Sequence, residues 1–182
     1  MGKMFKEKVL LSKEECEIIR NLNEGIPDKK YLYEKYANYT TSDITNMNSN
    51  LIKDIVLSKV KTLDKKIITL PNYFNILKYN VGDAFIPHQD RGGDGDYQNK
   101  MTLIIQLSER TYKGGILKIF KDNPELVEDK EDNVLYEAST EIGNTILFDS
   151  ALWHEVTPIT EGERITLIAW FLKKNLTNSY MI

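Results

Sequence analysis

The sequence predicts a mainly β protein, a β-sandwich or jelly roll braced by helices at its N-terminal end. Three observations predict it. From Ile67 onward the chain breaks into short runs rich in β-branched and aromatic residues. Clusters of Gly, Asp and Asn separate most of these runs. The stretch before them places apolar residues at helical rather than alternating spacing.

In chain order, Ser12 and Glu15 form a capping box, in which hydroxyl and carboxylate each satisfy a free backbone N–H. Ile18, Ile19 and Leu22 then give an apolar stripe, and Cys16 falls on the same helix as a small core residue. The region 27–50 is polar and tyrosine-rich and reads as mostly loop, with a helical turn over 31–36. A second helix is expected over 49–65, where Leu51, Ile52, Ile55, Val56, Val60 and Leu63 keep helical spacing. Strands are expected over 68–79, 84–87, 101–108, 115–121, 134–138, 145–148, 153–156 and 164–172. About eight short strands after a helical preface fit a jelly roll or sandwich. The organisation read from this is a single domain, 1–182, with helical support over 1–66 and the β core over 67–174. Acidic stretches at 94–96 and 122–132 lack the ordered spacing of a calcium loop and read as solvent-facing.

Composition narrows the function. The 182 residues are 41% hydrophobic and 28% charged, the profile of a globular chain. A net charge of −3 and a pI of about 5.5 argue against nucleic-acid binding, which needs a cationic footprint. The pairs Lys65-Lys66 and Lys173-Lys174 read as solvated faces. No apolar run reaches membrane-spanning length, and 1–11 lacks the apolar core of a secretory signal. Gly2 is followed by Lys6 where a myristoylation signal wants Ser or Thr. Cys16 is the only cysteine, so the chain forms no internal disulfide, which fits a reducing, cytoplasmic setting.

The chain holds two histidines. His88 lies two residues before Asp90, and residues two apart in a strand point to the same side. His154 lies in a later strand beside Trp153. Two imidazoles and a carboxylate on one face of a metal leave positions open for a cosubstrate and oxygen. Taken singly, a His-x-Asp pair reads as a surface hydrogen bond and His154 as a packed histidine. Arg164 follows His154 across a turn containing Pro158 and Gly162. Along the last strand Arg164, Thr166, Ile168 and Trp170 share one face, and Ile165, Leu167, Ala169 and Phe171 the other. Both faces are largely apolar, so the strand is buried on both sides and its arginine needs an anionic partner.

With these residues in place the sequence resembles the prolyl 4-hydroxylase branch of the iron(II)/2-oxoglutarate dioxygenases. The resemblance runs over 79–171. It rests on Tyr79, Gly82, His88 and Asp90 within 79–90, on the core strand 102–108, on Gly114-Gly115-Ile116-Leu117-Lys118-Ile119-Phe120, and on 143–148 and 154–171. The Gly114 stretch is especially similar to the oxygen-sensing prolyl hydroxylases, and the helix from Ser12 looks like the lead helix of the family. The resemblance implies a double-stranded β-helix (jelly-roll) core. It implies iron(II) held by His88, Asp90 and His154, and 2-oxoglutarate as cosubstrate, with ascorbate as a reductant. Arg164 would bind the distal carboxylate of 2-oxoglutarate, and the Tyr79 hydroxyl the same group. Gln106 and Leu117 fall at cosubstrate positions, with Ile119 as a further wall. Arg91, Val156 and Trp170 fall at substrate positions. Leu77, Asn75 and Tyr73 share the strand face of Tyr79 and are candidate pocket residues. Gln106 stands where the oxygen-sensing enzymes often have tyrosine, a departure that weakens close equivalence to them.

The implied reaction is hydroxylation of a prolyl residue in a peptide or protein, coupled to conversion of 2-oxoglutarate and oxygen into succinate and carbon dioxide. Hydroxylation of a free amino acid or other small molecule is the alternative. A metal-binding jelly-roll module without turnover is a third reading, which Arg164 disfavours because such a module needs no carboxylate clamp. A demethylase of the AlkB type would carry a second arginine where this chain has Trp170. The segment 91–100 reads equally as a lid or as an ordinary hairpin connection.

Overall fold

A computed structural model describes residues 5–22, 29–33, 37–43, 46–64, 74–90 and 100–172. The chain opens with a strand, β1 (Phe5–Val9), which the helical reading of the N-terminus did not foresee. Ser12 then caps α1 (Lys13–Asn21) as expected: its Oγ accepts from the Glu15 amide at 3.2 Å, and the Glu15 carboxylate accepts from the Ser12 amide at 2.8 Å. Cys16 and Ile19 of α1 are buried, whereas Ile18, expected in the apolar stripe, is exposed.

The expected loop and helical turn after α1 are replaced by two strands, β2 (Lys29–Tyr33) and β3 (Ala37–Asp43), paired antiparallel. Tyrosine and threonine are strand formers whatever their polarity, and their density here outweighs the lack of an apolar run. The region 1–66 therefore contributes strands as well as helical support. The second helix, α2 (Asn46–Leu63), starts and ends slightly earlier than expected and buries Ile52, Val56 and Val60.

The remaining strands are β4 (Asn75–Tyr79), β5 (Ala84–His88), β6 (Lys100–Gln106), β7 (Lys113–Gly114), β8 (Leu117–Phe120), β9 (Val134–Glu137), β10 (Asn144–Asp149), β11 (His154–Val156), β12 (Ile159–Glu161) and β13 (Arg164–Leu172). Of the expected strand 68–79, the part before Phe74 lies outside the described residues. Of the thirteen strands among the described residues, eleven form one antiparallel sheet in the order β1-β10-β6-β13-β4-β3-β5-β11-β8-β9, with β2 beside β3; β7 and β12 pair separately.

The sheet has two differently used faces. On one, Ile76, Leu103, Ile105, Leu147, Leu167 and Ala169 pack against Cys16 and Ile19 of α1 and Ile52, Val56 and Val60 of α2. On the other, Leu77 and Tyr79 of β4, Ile104 of β6, Phe148 of β10 and Ile168 of β13 join Leu117 and Ile119 of β8 and Val156 of β11 in a second cluster. Strands from opposite parts of the path share this cluster, so the sheet curls over itself and encloses a second core. The alternation read along β13 is observed: Leu167 and Ala169 face the helices, and Ile168 faces the second core.

The two ends of the path also meet. The Phe5 ring of β1 lies 4.3 Å from the Tyr136 ring of β9. The Tyr136 hydroxyl donates to Glu7, which also accepts from the Ser139 amide at 2.8 Å and from Asn144 Nδ2 at 2.6 Å. The edge strands are thus joined through side chains, not through a backbone ladder.

Candidate metal centre and adjoining carboxylate recess

His88 is the last residue of β5 and His154 the first of β11. These strands pair antiparallel with His154 directly opposite His88. Directly opposed residues point to the same face, so the two imidazoles meet. Their ring centres are 4.1 Å apart. Asp90, two residues past His88, is anchored by its amide to the Ser150 carbonyl at 2.9 Å, and the Gln89 side chain donates to the Ala151 carbonyl. The carboxylate oxygens stand 3.6 Å from Nε2 of each histidine. The three donor atoms all lie within 4.8 Å of one another.

The hydrogen bonds around this cluster set its chemistry. His88 Nδ1 lies 2.8 Å from the Ile86 carbonyl, and His154 Nδ1 2.9 Å from the Leu152 carbonyl. A carbonyl only accepts, so each Nδ1 donates there, and each Nε2 faces Asp90. Burial drives the His154 pKa down to about 4, against the pull of Asp90, so at neutral pH the ring is uncharged. Burial opposes ionisation of Asp90, but His88, His154 and the Thr102 hydroxyl, which donates at 2.6 Å, hold its carboxyl well below the usual carboxylate range. Two neutral imidazoles and one carboxylate are the state a divalent cation binds. Phe85 stacks on His88 at 3.9 Å and Phe148 meets His154 edge-on at 4.8 Å, which fixes both rings.

A cavity of about 100 Å³ opens over the three donors. Its walls are mainly apolar and include Leu77, Phe85, Leu117, Val156, Ile168 and Trp170. Tyr79 and Asn75 both line it, four residues apart on β4. Tyr79 is opposite Arg164 in the β4–β13 ladder, and Asn75 is opposite Ile168. The Arg164 guanidinium carbon sits 5.3 Å from the centre of the Tyr79 ring. A second, smaller recess, lined by Arg164, Gln106, Gly115 and Asn144, shares Ile104 and Leu117 with the cavity.

Arg164 is 4% exposed, and its Nε is buried with no hydrogen-bond partner among the described residues. Asn75 Oδ1 is another buried atom without one. Gln106 is buried but satisfied locally, since Nε2 donates to the Ser108 carbonyl at 3.1 Å and to Ser108 Oγ at 2.9 Å. Ile119, expected as a pocket wall beside Leu117, does not line the cavity. It is fully buried on β8 opposite His154 and packs in the second core. Lys118 points away, paired with Glu131 at 2.7 Å. Arg91, the proposed lid 91–100 and Tyr73 lie outside the described residues.

The sequence reading missed Thr102 and Phe85. Thr102 carried a signal: it is a hydroxyl in the otherwise apolar run of β6. Phe85 carried none, because a strand aromatic is ordinarily only core.

Two imidazoles and a carboxylate facing one point, inside a curled antiparallel sheet, define a candidate mononuclear metal centre in a jelly roll. The model of the 2OG-Fe(II) oxygenase superfamily matches residues 74–172, more than half of the sequence, and the chain belongs to that family. The family implies iron(II) and 2-oxoglutarate, and the donor set fits iron. A PKHD-type hydroxylase of Maricaulis maris is 26% identical over 117 residues, covering 64% of this chain and 45% of the relative. The chain thus spans less than half the length of that curated relative. Among solved structures, a Pseudomonas putida prolyl-4-hydroxylase superposes with a TM-score of 0.66 at 17% identity, covering 94% of both chains. The carbocyclase SnoK from nogalamycin biosynthesis superposes with a TM-score of 0.71 at 12% identity, covering 93% of this chain and 79% of the other. At these identities both show the jelly-roll fold. No described helix is long and apolar enough to cross a membrane.

Proposed function

We propose that this chain is an iron(II)- and 2-oxoglutarate-dependent dioxygenase that hydroxylates prolyl residues in a peptide or protein, with oxygen as co-reactant. The observation that carries the enzyme reading is the pairing of a three-donor metal cluster with a buried arginine whose Nε lacks a partner, across shared walls. A metal-binding module needs the first and has no use for the second. The resemblance to prolyl hydroxylases supports the prolyl substrate.

His88, Asp90 and His154 would hold the iron through the two Nε2 atoms and the carboxylate. Bound together, metal and cosubstrate supply the oxidation of a C–H bond, with succinate and carbon dioxide as by-products. The chain's own contribution is placement. Arg164 would pair with the distal carboxylate of 2-oxoglutarate, with Tyr79 beside it and Gln106 and Leu117 shaping the recess. Val156, Trp170 and Arg91 would bind the substrate. Leu77, Phe85 and Ile168 keep the cavity apolar and exclude water from the reacting carbon.

Succinate release, measured with iron(II), 2-oxoglutarate and ascorbate, tests the proposal in the wild type and in His154→Ala. Proline-containing peptides and free proline are the substrate arms, read as a one-oxygen mass increase. Peptide hydroxylation lost in His154→Ala is the expected result. Oxidation of free proline alone would move the substrate to the small-molecule class. No succinate with any substrate, despite bound iron, would overturn the enzyme reading.

A further inference from the structure

The cavity over the metal donors contains a side-chain acceptor that the fold leaves unmet. Asn75 lines that cavity, and its buried Oδ1 has no hydrogen-bond partner among the described residues. The rest of the wall is mainly apolar, the Trp170 indole only donates, and Tyr79 lies beside Arg164. The terminal torsion of asparagine is broad, so the side-chain amide turns toward the cavity at little cost. Strand register sets this acceptor apart from the Arg164 recess, which Asn75 does not line. Asn75 is opposite Ile168 of β13, and Ile168 is opposite Ile104 of β6, so the three form one row across the sheet. The next row on that face pairs Trp170 with Thr102, whose hydroxyl donates to Asp90. Tyr79 and Arg164 lie four residues away along β4 and β13. Asn75 thus neighbours the row that supports a metal donor.

An unmet acceptor in an apolar wall costs free energy until a ligand donates to it. We propose that Asn75 is a substrate-binding residue, and that its Oδ1 accepts from the backbone N–H of the residue that follows the target proline. The inference rests on the prolyl dioxygenase reading and adds to it the peptide group that positions the substrate. A prolyl residue has no N–H of its own, so the amide nearest its ring is the one contributed by the next residue. A single placed acceptor in an apolar cavity fixes how a ligand lies. It also selects against a substrate without the donor, because Oδ1 then stays buried and unpaired.

The test takes a proline peptide that the wild type hydroxylates and sets it against its ester counterpart, in which a hydroxy acid replaces the amino acid after proline. The exchange removes that N–H and keeps the chain length. Wild type is expected to lose about tenfold in kcat/KM on the ester, mainly through KM. Asn75→Leu, of nearly the same size, should lose about tenfold on the amide peptide and turn over amide and ester equally. Its melting temperature should not fall, and its iron(II) and 2-oxoglutarate affinities should match wild type. Equal wild-type kcat/KM on the two peptides would overturn the inference without any variant. An Asn75→Leu protein that still prefers the amide tenfold would also overturn it, because the preference then arises elsewhere. Hydroxylation of free proline but of no peptide would overturn it while leaving the dioxygenase reading intact. No succinate with any substrate would remove both.

Discussion

Single residues here differ most in how well their polar atoms are met. Asp90 has Thr102 as donor at 2.6 Å, and Thr102 is itself 2.8 Å from Ser150 Oγ. Thr102→Val, which keeps the shape and removes the donor, is expected to lower iron(II) affinity roughly tenfold while the fold persists; metal titration with a circular-dichroism control checks it. Arg164 stands opposite Tyr79 with Nε open. Arg164→Ala should weaken 2-oxoglutarate about 30-fold, matching about 2 kcal/mol for a charge-assisted contact, with iron retained. Cys16 is a different case. Burial drives its thiol up to about 11 from an ordinary 9.0, so folding favours the protonated form. Its contribution to stability is therefore complete below pH 9 and lost as pH rises from 9 to 11. Urea unfolding across that window should show a fall in wild type that is smaller in Cys16→Ala. Much of the residue scale was legible from sequence. His88 and Asp90 were paired from strand period, although β5 ends at His88 and Asp90 is held by its own amide bond to Ser150, and Arg164 was singled out by the two apolar faces of its strand. The contact of Tyr112 with Arg164 was hidden because the two residues are far apart along the chain.

At the scale of elements, legibility followed periodicity. The capping box fixed α1, and the apolar spacing of α2 fixed the three residues it buries. The strands β2 and β3 were missed because their side chains carry no apolar alternation, and β1 because a five-residue edge strand with Lys6 and Lys8 reads as a charged terminus. Those lysines suit an edge, where charge discourages pairing with another chain. Glu7 of β1 reaches the far end of the sheet through Tyr136 and Ser139, beside the Phe5–Tyr136 ring contact, and also holds Asn144 of the neighbouring β10. Glu7→Ala is expected to cost about 1–2 kcal/mol and to lower the melting temperature by roughly 3–6 °C, read by thermal denaturation.

For the whole molecule, the metal cluster links strands distant in sequence. His88 and His154 come from β5 and β11, and the loop carrying Ser150 and Ala151 braces Asp90. A cation that binds only this assembled arrangement stabilises the folded state by mass action. Iron(II) at about 100 times its dissociation constant should add roughly 2.7 kcal/mol, so the melting temperature rises with metal and falls with a chelator. His154→Ala should abolish the rise. The jelly roll was foreseen from strand count, but its closure was not, because the contacts between β1 and β9 join residues too far apart for local pattern to reveal.

That closure has a mechanical meaning. A backbone ladder resists load in parallel across many bonds, whereas the joint at Phe5, Glu7 and Tyr136 concentrates it on a few side chains. Tension applied to the chain at Phe5 would load this joint together with the β1–β10 ladder, and neither includes the β5–β11 pair that carries the two histidines.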